Sequence, residues 1–104
     1  MAKPTRSDLQ HRLEEVLGSK NVYFKAPESG KMAYPCFKYD LAKIDTVKAS
    51  DKIYKKDNCY TLIYIDRNPD NTIKDSIFDE FDYIAFDRSY KSDNLYHYVY
   101  TLYF

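Results

Sequence analysis

Hydrophobic and polar positions along this chain follow two different periods. Leu9, Leu13, Val16 and Leu17 recur at helical spacing, which places them on one face. Ser7 followed by Gln10 fits a capping box, in which each side chain satisfies a free backbone N–H at the helix start. Gly18 can adopt the left-handed conformation that closes a helix. The pattern predicts an amphipathic helix of about three turns, its Leu/Val stripe turned to the core. Residues 1–6, polar and containing Pro4, read as a flexible lead-in.

A period of two then takes over. Residues 21–25 read as a short extended piece, and 26–31 as a loop by their Pro, Ser and Gly. From Tyr34 to Ile44, Phe37, Tyr39 and Leu41 alternate with Cys36, Lys38 and Asp40, as in a half-buried strand. Pro35 lacks an N–H and belongs at that strand's start or on an edge. Residues 42–51 are polar and irregular and read as a long turn or excursion. Tyr60–Ile65, dense in β-branched and aromatic residues, reads as the central strand. Asp66–Asn71 is a turn of residues that bond their own backbone, with Asp70 placed to cap the next helix. Ile73, Ile77, Phe78 and Phe81 predict that second, short helix. Tyr83–Tyr90 and Leu95–Phe104 read as a terminal hairpin around a turn at Lys91–Asn94. The aromatic ending predicts a last strand tied into the sheet.

This order predicts one α+β domain over residues 1–104: an antiparallel β-sheet with the N-terminal helix and the second short helix packed on one face. Composition agrees with a folded domain, at 44% hydrophobic and 31% charged residues. The twelve Tyr and six Phe, with no Trp, change the picture more. Tyr joins an apolar ring to a polar tip, which suits half-buried strand faces and protein interfaces. Sixteen basic residues balance sixteen acidic ones, so the chain lacks the electrostatic footprint of a dedicated nucleic-acid binder. No apolar signal-peptide core opens the chain and no run approaches membrane-spanning length, which predicts synthesis in the cytosol.

Candidate chemistry is sparse. His11 falls on the polar side of the first helix and His97 between tyrosines of the last strand, without HxH, HExxH or Cys/His spacing. Cys36 and Cys59 sit in strand-like runs and read as buried thiols, with a disulfide between neighbouring strands left open. Asp66, Asp70 and Asn71 lack EF-hand spacing, and Asp79, Glu80 and Asp82 read as a solvated acidic turn. The Lys48–Lys56 tract reads as a solvated loop of mixed charge. No catalytic residue, metal ligand or cofactor site is expected, and the chain reads as a non-enzyme.

Several segments together resemble a known family. They are Leu17–Phe24, Pro27–Ser29, Lys31–Cys36, Ile44–Thr46, Lys52–Tyr54, Thr61–Pro69, Phe86–Tyr90, Asp93–Leu95, His97 and Tyr100–Phe104. In this order the series resembles small tail-completion or tail-terminator proteins of long-tailed phages. The resemblance spans most of the chain. It implies a compact α+β fold and a ring, commonly of six copies, that caps the head-proximal end of the tail tube. It further implies a place in the virion and, as partners, the tail tube protein and the head–tail connector, with no membrane and no specific nucleic acid. It carries no catalytic residues. A head-side joining or stopper protein is the structural alternative. A small nucleic-acid or regulatory binding module is the alternative from another class, and a metal enzyme built on Asp66 and Asp70 a further one.

A ring needs two different complementary faces per subunit, and interface cores favour aromatic residues. The candidate subunit-interface residues are therefore those expected to project: Met32 and Tyr34 before the first long strand, Ile53 and Tyr54 in the excursion, and Tyr90 in the last hairpin. Ordinary sheet packing is the alternative role for each.

Overall fold

In the computed structural model, residues 5–25, 27, 30–49 and 52–104 are described, with side chains for all of these except 47–49 and 52–56. Helix α1 (Arg6–Leu17) is capped by Thr5, not Ser7. The Thr5 hydroxyl accepts the Asp8 N–H at 3.2 Å, and the Asp8 carboxylate accepts the Thr5 N–H at 2.8 Å. The reciprocal box is thus Thr5/Asp8, and residues 1–4 of the expected lead-in lie outside the described residues. Starting the helix earlier lets the Arg6 guanidinium sit 4.7 Å from the centre of the Phe24 ring. Gly18 closes the helix with φ 77° and donates its N–H to Glu14. Gln10, freed from capping, bridges elements: it donates to the Val22 carbonyl (2.9 Å) and accepts from the Tyr39 hydroxyl (2.6 Å).

The strands are β1 (Val22–Phe24), β2 (Cys36–Ala49), β3 (Lys52–Asp66), β4 (Ile84–Ser92) and β5 (Leu95–Tyr103). They form one sheet in the order β1-β2-β3-β5-β4, with β3 at the centre as its composition predicts. The sheet is mixed rather than wholly antiparallel, because β1 runs parallel to β2. Residues 25–35 make the return: Lys25 turns away with φ 63°, and the chain re-enters the sheet after the cis Tyr34–Pro35 bond. Roughly a dozen residues is about the minimum for such a crossover. Tyr23, facing away from α1, accepts the Ala33 N–H at 3.1 Å and anchors that return.

Cross-strand register separates the two faces. Phe37 opposes Tyr64, Tyr39 opposes Leu62, and Tyr60 and Leu62 oppose Leu102 and Tyr100. These side chains form the core with Leu9 and Leu13 of α1 and with Ile77 and Phe81. Both helical segments therefore cover one face, as expected. The second is α2 (Ile73–Ser76) continued by a 3₁₀ turn over Ile77–Asp79. Thr72, not Asp70, precedes it, and the Asn71 side chain accepts the Lys74 N–H at 3.1 Å. In the preceding turn the Asp66 side chain accepts the Asn68 N–H and the Asn68 side chain accepts the Asp70 N–H, both at 3.0 Å.

The terminal hairpin runs longer than its sequence pattern, with only Asp93 and Asn94 between the strands. Their φ values of 53° and 62° match a type I′ turn, which Asp and Asn tolerate. The largest departure from expectation is at residues 42–49, within the expected 42–51 excursion. In place of an irregular excursion, β2 and β3 stay paired through to Ala49 opposite Lys52. β5 ends at Tyr103 opposite Cys59, so residues beyond Cys59 have no third strand. The result is a two-stranded arm reaching about 20 Å beyond the sheet at strand rise. It contributes to a molecule of 51 × 27 × 25 Å. Past its root, where the Tyr103 hydroxyl donates to Asp45 and Asp57 shares a pocket with Arg12, the arm has no third strand beside it. Its sequence therefore needs no alternating apolar pattern, which is why it reads as irregular.

Candidate interaction surfaces

The five candidate interface residues fall into two distant groups. Met32 and Tyr34 are half-buried in the crossover. The Arg67 guanidinium stands 5.8 Å from the centre of the Tyr34 ring. Tyr90 lies on the outer strand, exposed, with its ring stacked on His97 at 4.6 Å and 9°. Register puts Cys36, Ile65, His97 and Tyr90 in one row across the sheet face opposite the helices, buried at Cys36 and Ile65 and exposed at Tyr90. Tyr34 and Tyr90 thus share one end of the sheet. Ile53 and Tyr54 belong to the arm at the other end, where Ile53 pairs with Lys48; their side chains lie outside the described residues. Twelve residues of strand separate Ile65 from Ile53, or about 40 Å.

Two apolar surfaces that sequence reasoning did not single out are more prominent. One is at the arm's root. A bulge after Leu41 inserts Ala42, so Leu41 and Ile44 both point to the helix-bearing face, opposite Tyr60 and Asn58. They are 41% and 47% exposed. The other is a groove of about 290 Å³ between the 73–79 helical segment and β4, lined by Lys74, Asp75, Phe78, Phe86, Tyr98 and Tyr100. Phe78 and Phe86 meet the buried Tyr100 ring edge-on from either side, at 5.7 and 5.6 Å. Yet they remain 42% and 48% exposed. Tyr100 is held there by its hydroxyl, which donates to the Lys74 carbonyl at 2.8 Å.

Phe78 fits the helical spacing of Ile73 and Ile77, which is why it reads as core. A single 3₁₀ turn cannot bury Ile77 and its next neighbour together, and Phe78 is left outside. From Asp75 to Asp87 the sequence holds five acidic residues, no basic one, and three Phe. All five acids are exposed.

A separate mixed pocket of about 310 Å³ is lined in part by Arg12, Asp57, Glu80, Phe81, Tyr103 and Phe104. The Arg12 guanidinium donates to the Glu80 carbonyl and lies 5.1 Å from the centre of the Phe81 ring. It ties α1 to the end of the 3₁₀ turn.

The titratable groups are engaged structurally. Asp66 is nearly buried and accepts the Tyr64 hydroxyl at 2.5 Å besides the Asn68 N–H. Burial, then the bond to Asp66, pushes the Tyr64 hydroxyl far above its ordinary range. Burial also pushes the Cys36 thiol up to about 12. Cys36 and Cys59 are both free; Cys36 opposes Ile65, six residues from Cys59, so about 20 Å of strand separates them. A disulfide needs Cα atoms within about 7 Å, which settles the pairing left open by sequence. His11 is exposed, and His97 bonds through Nδ1 to the Leu95 carbonyl at 3.1 Å. Among the described residues no three His, Cys, Asp or Glu side chains are grouped to hold a metal ion, and no helix is long and apolar enough to cross a membrane.

No protein-family model matches the chain, and a search of curated proteins finds none similar to it.

Proposed function

We propose that this chain is a structural assembly subunit of a long-tailed phage virion, forming a ring that caps the tail tube and docks to the head connector. The observation that carries the assembly reading is the arm. A strand pair that leaves its sheet for about 20 Å has no core of its own to join, and it costs backbone entropy to order. Docking on another molecule offsets that cost. The exposed apolar root of the arm and the Phe78/Phe86 groove occupy opposite edges of the sheet. A ring closes through head-to-tail contacts between two different surfaces of each copy, and this placement suits them. The sequence resemblance to tail-completion and tail-terminator proteins supplies the station in the particle and the ring of six.

Electron microscopy of lysates from a phage lacking this gene tests the reading. Filled heads beside unattached tails of abnormal length are expected. Free tails of normal length would move the chain to the head-side joining role. Intact infectious particles would overturn both stations.

A further inference from the structure

Independently of the assembly reading, we propose that the pocket between Arg12 of α1, residues 80–83 and the end of β5 binds an arginine side chain presented by a partner protein. With Arg12 in place, about 310 Å³ stays open there. The lining combines two kinds of group that favour a cation. Phe81, Tyr83, Tyr103 and Phe104 are aromatic, and Asp57, Glu80 and Asp82 are acidic. Arg12 is the one cation set against those three acids among the described residues of the lining. Glu80 and Asp82 are exposed and form no ion pair among the described residues.

The chain's own arginine shows what these rings accept. The Arg12 guanidinium lies 5.1 Å from the centre of the Phe81 ring and 6.0 Å from that of Phe104. Tyr83, 72% exposed, carries no such cation among the described residues. A guanidinium arriving from outside finds in one lining a ring to stack on and carboxylates to bond. Its planar fork uses both, where an ammonium is a point charge. The exposure of Tyr83 makes the site shallow, which suits a side chain held at an interface better than a free small molecule that must be mostly enclosed. Backbone bonds fix the lining beforehand. The Tyr103 N–H donates to the Tyr83 carbonyl at 2.9 Å, and the Phe104 N–H to the Asn58 carbonyl at 3.1 Å. The Phe81 and Phe104 rings meet edge to face at 6.0 Å. Such preorganisation lowers the cost of binding.

Titrating the isotope-labelled chain with a capped glycine–arginine–glycine peptide, followed by NMR, tests the site. The matching citrulline peptide, of the same shape without the charge, is the control. Saturating amide shifts at residues 80–83 and 103–104 are expected with arginine and not with citrulline. Tyr83→Leu and Asp82→Asn, both at exposed positions, should each weaken the arginine peptide by about 2- to 5-fold with the melting temperature unchanged. Absence of saturating shifts at those residues, equal binding of the citrulline peptide, or full affinity in either variant would overturn the site and leave the assembly reading untouched.

Discussion

Replacing Tyr64 with Phe tests how the central strand is tied to the turn that carries one wall of the groove. The Tyr64 ring is fully buried, 5.2 Å from the Phe37 ring and 6.0 Å from Tyr98. Phe preserves that packing and removes only the hydroxyl, which donates to Asp66 at 2.5 Å. A hydrogen bond to a charged acceptor contributes about 1.5–3 kcal/mol. Asp66 retains the Asn68 N–H, but it is only 9% exposed, so little water replaces the lost donor. That places the expected loss in the upper half of the range, about 2–3 kcal/mol. With a urea dependence of about 1.5 kcal/mol per molar for a small domain, the unfolding midpoint falls by roughly 1.5 M. Asp66→Asn completes a double-mutant cycle, with an expected coupling of about 1–2 kcal/mol between the two positions. A midpoint shift below about 0.3 M, or losses that simply add, would refute the claim that this bond holds the turn to the sheet.

Leu13→Ala removes a fully buried contact between α1 and the sheet and should cost about 2–5 kcal/mol, read from urea midpoints; a loss under about 1 kcal/mol would place the helix stripe outside the core. Stability should be level to about pH 9 and fall toward pH 12, because the folded chain keeps the Cys36 proton that the unfolded chain releases near 9. The buried hydroxyls of Tyr64 and Tyr100, also raised, extend the fall above about pH 10. Cys36→Ala should remove the earlier part of that fall and leave the later part. Identical pH profiles for the two proteins would contradict the sign or the site. Replacing residues 45–57 with a two-residue Asn-Gly turn, between the paired Ile44 and Asn58, should leave the melting temperature within a few degrees and abolish assembly. Collapse of the fold would show that the arm stabilises the body.

The elements legible in the sequence are those with a core to face. The Leu9/Leu13/Val16/Leu17 stripe, the Tyr60–Ile65 strand and the last hairpin all carry the period of their structure, because burial imposes it. Where burial is absent, so is the signal. The arm is held by backbone pairing, and its side chains at Lys43, Ile44 and Thr46 are exposed, so nothing marks it as β. The parallel partnership of Val22–Phe24 depends on a crossover that a three-residue strand cannot advertise. Ser7 and Thr5 both satisfy the capping pattern, and the cap falls on the residue that lets Arg6 reach Tyr39 at 3.1 Å. Of the candidate interface, Tyr90 is exposed as expected, while Met32 and Tyr34 are half-buried against the body. Phe78 is hidden by a spacing that fits burial, and Phe86 by lying on an outer strand whose exposure no local pattern marks.

Cryo-electron microscopy of the neck of intact virions would show the subunit in its place. A ring between tail tube and connector is expected, its subunits fitting the five-stranded sheet with each arm lying on a neighbouring molecule. A neck in which no ring accepts this fold would contradict it.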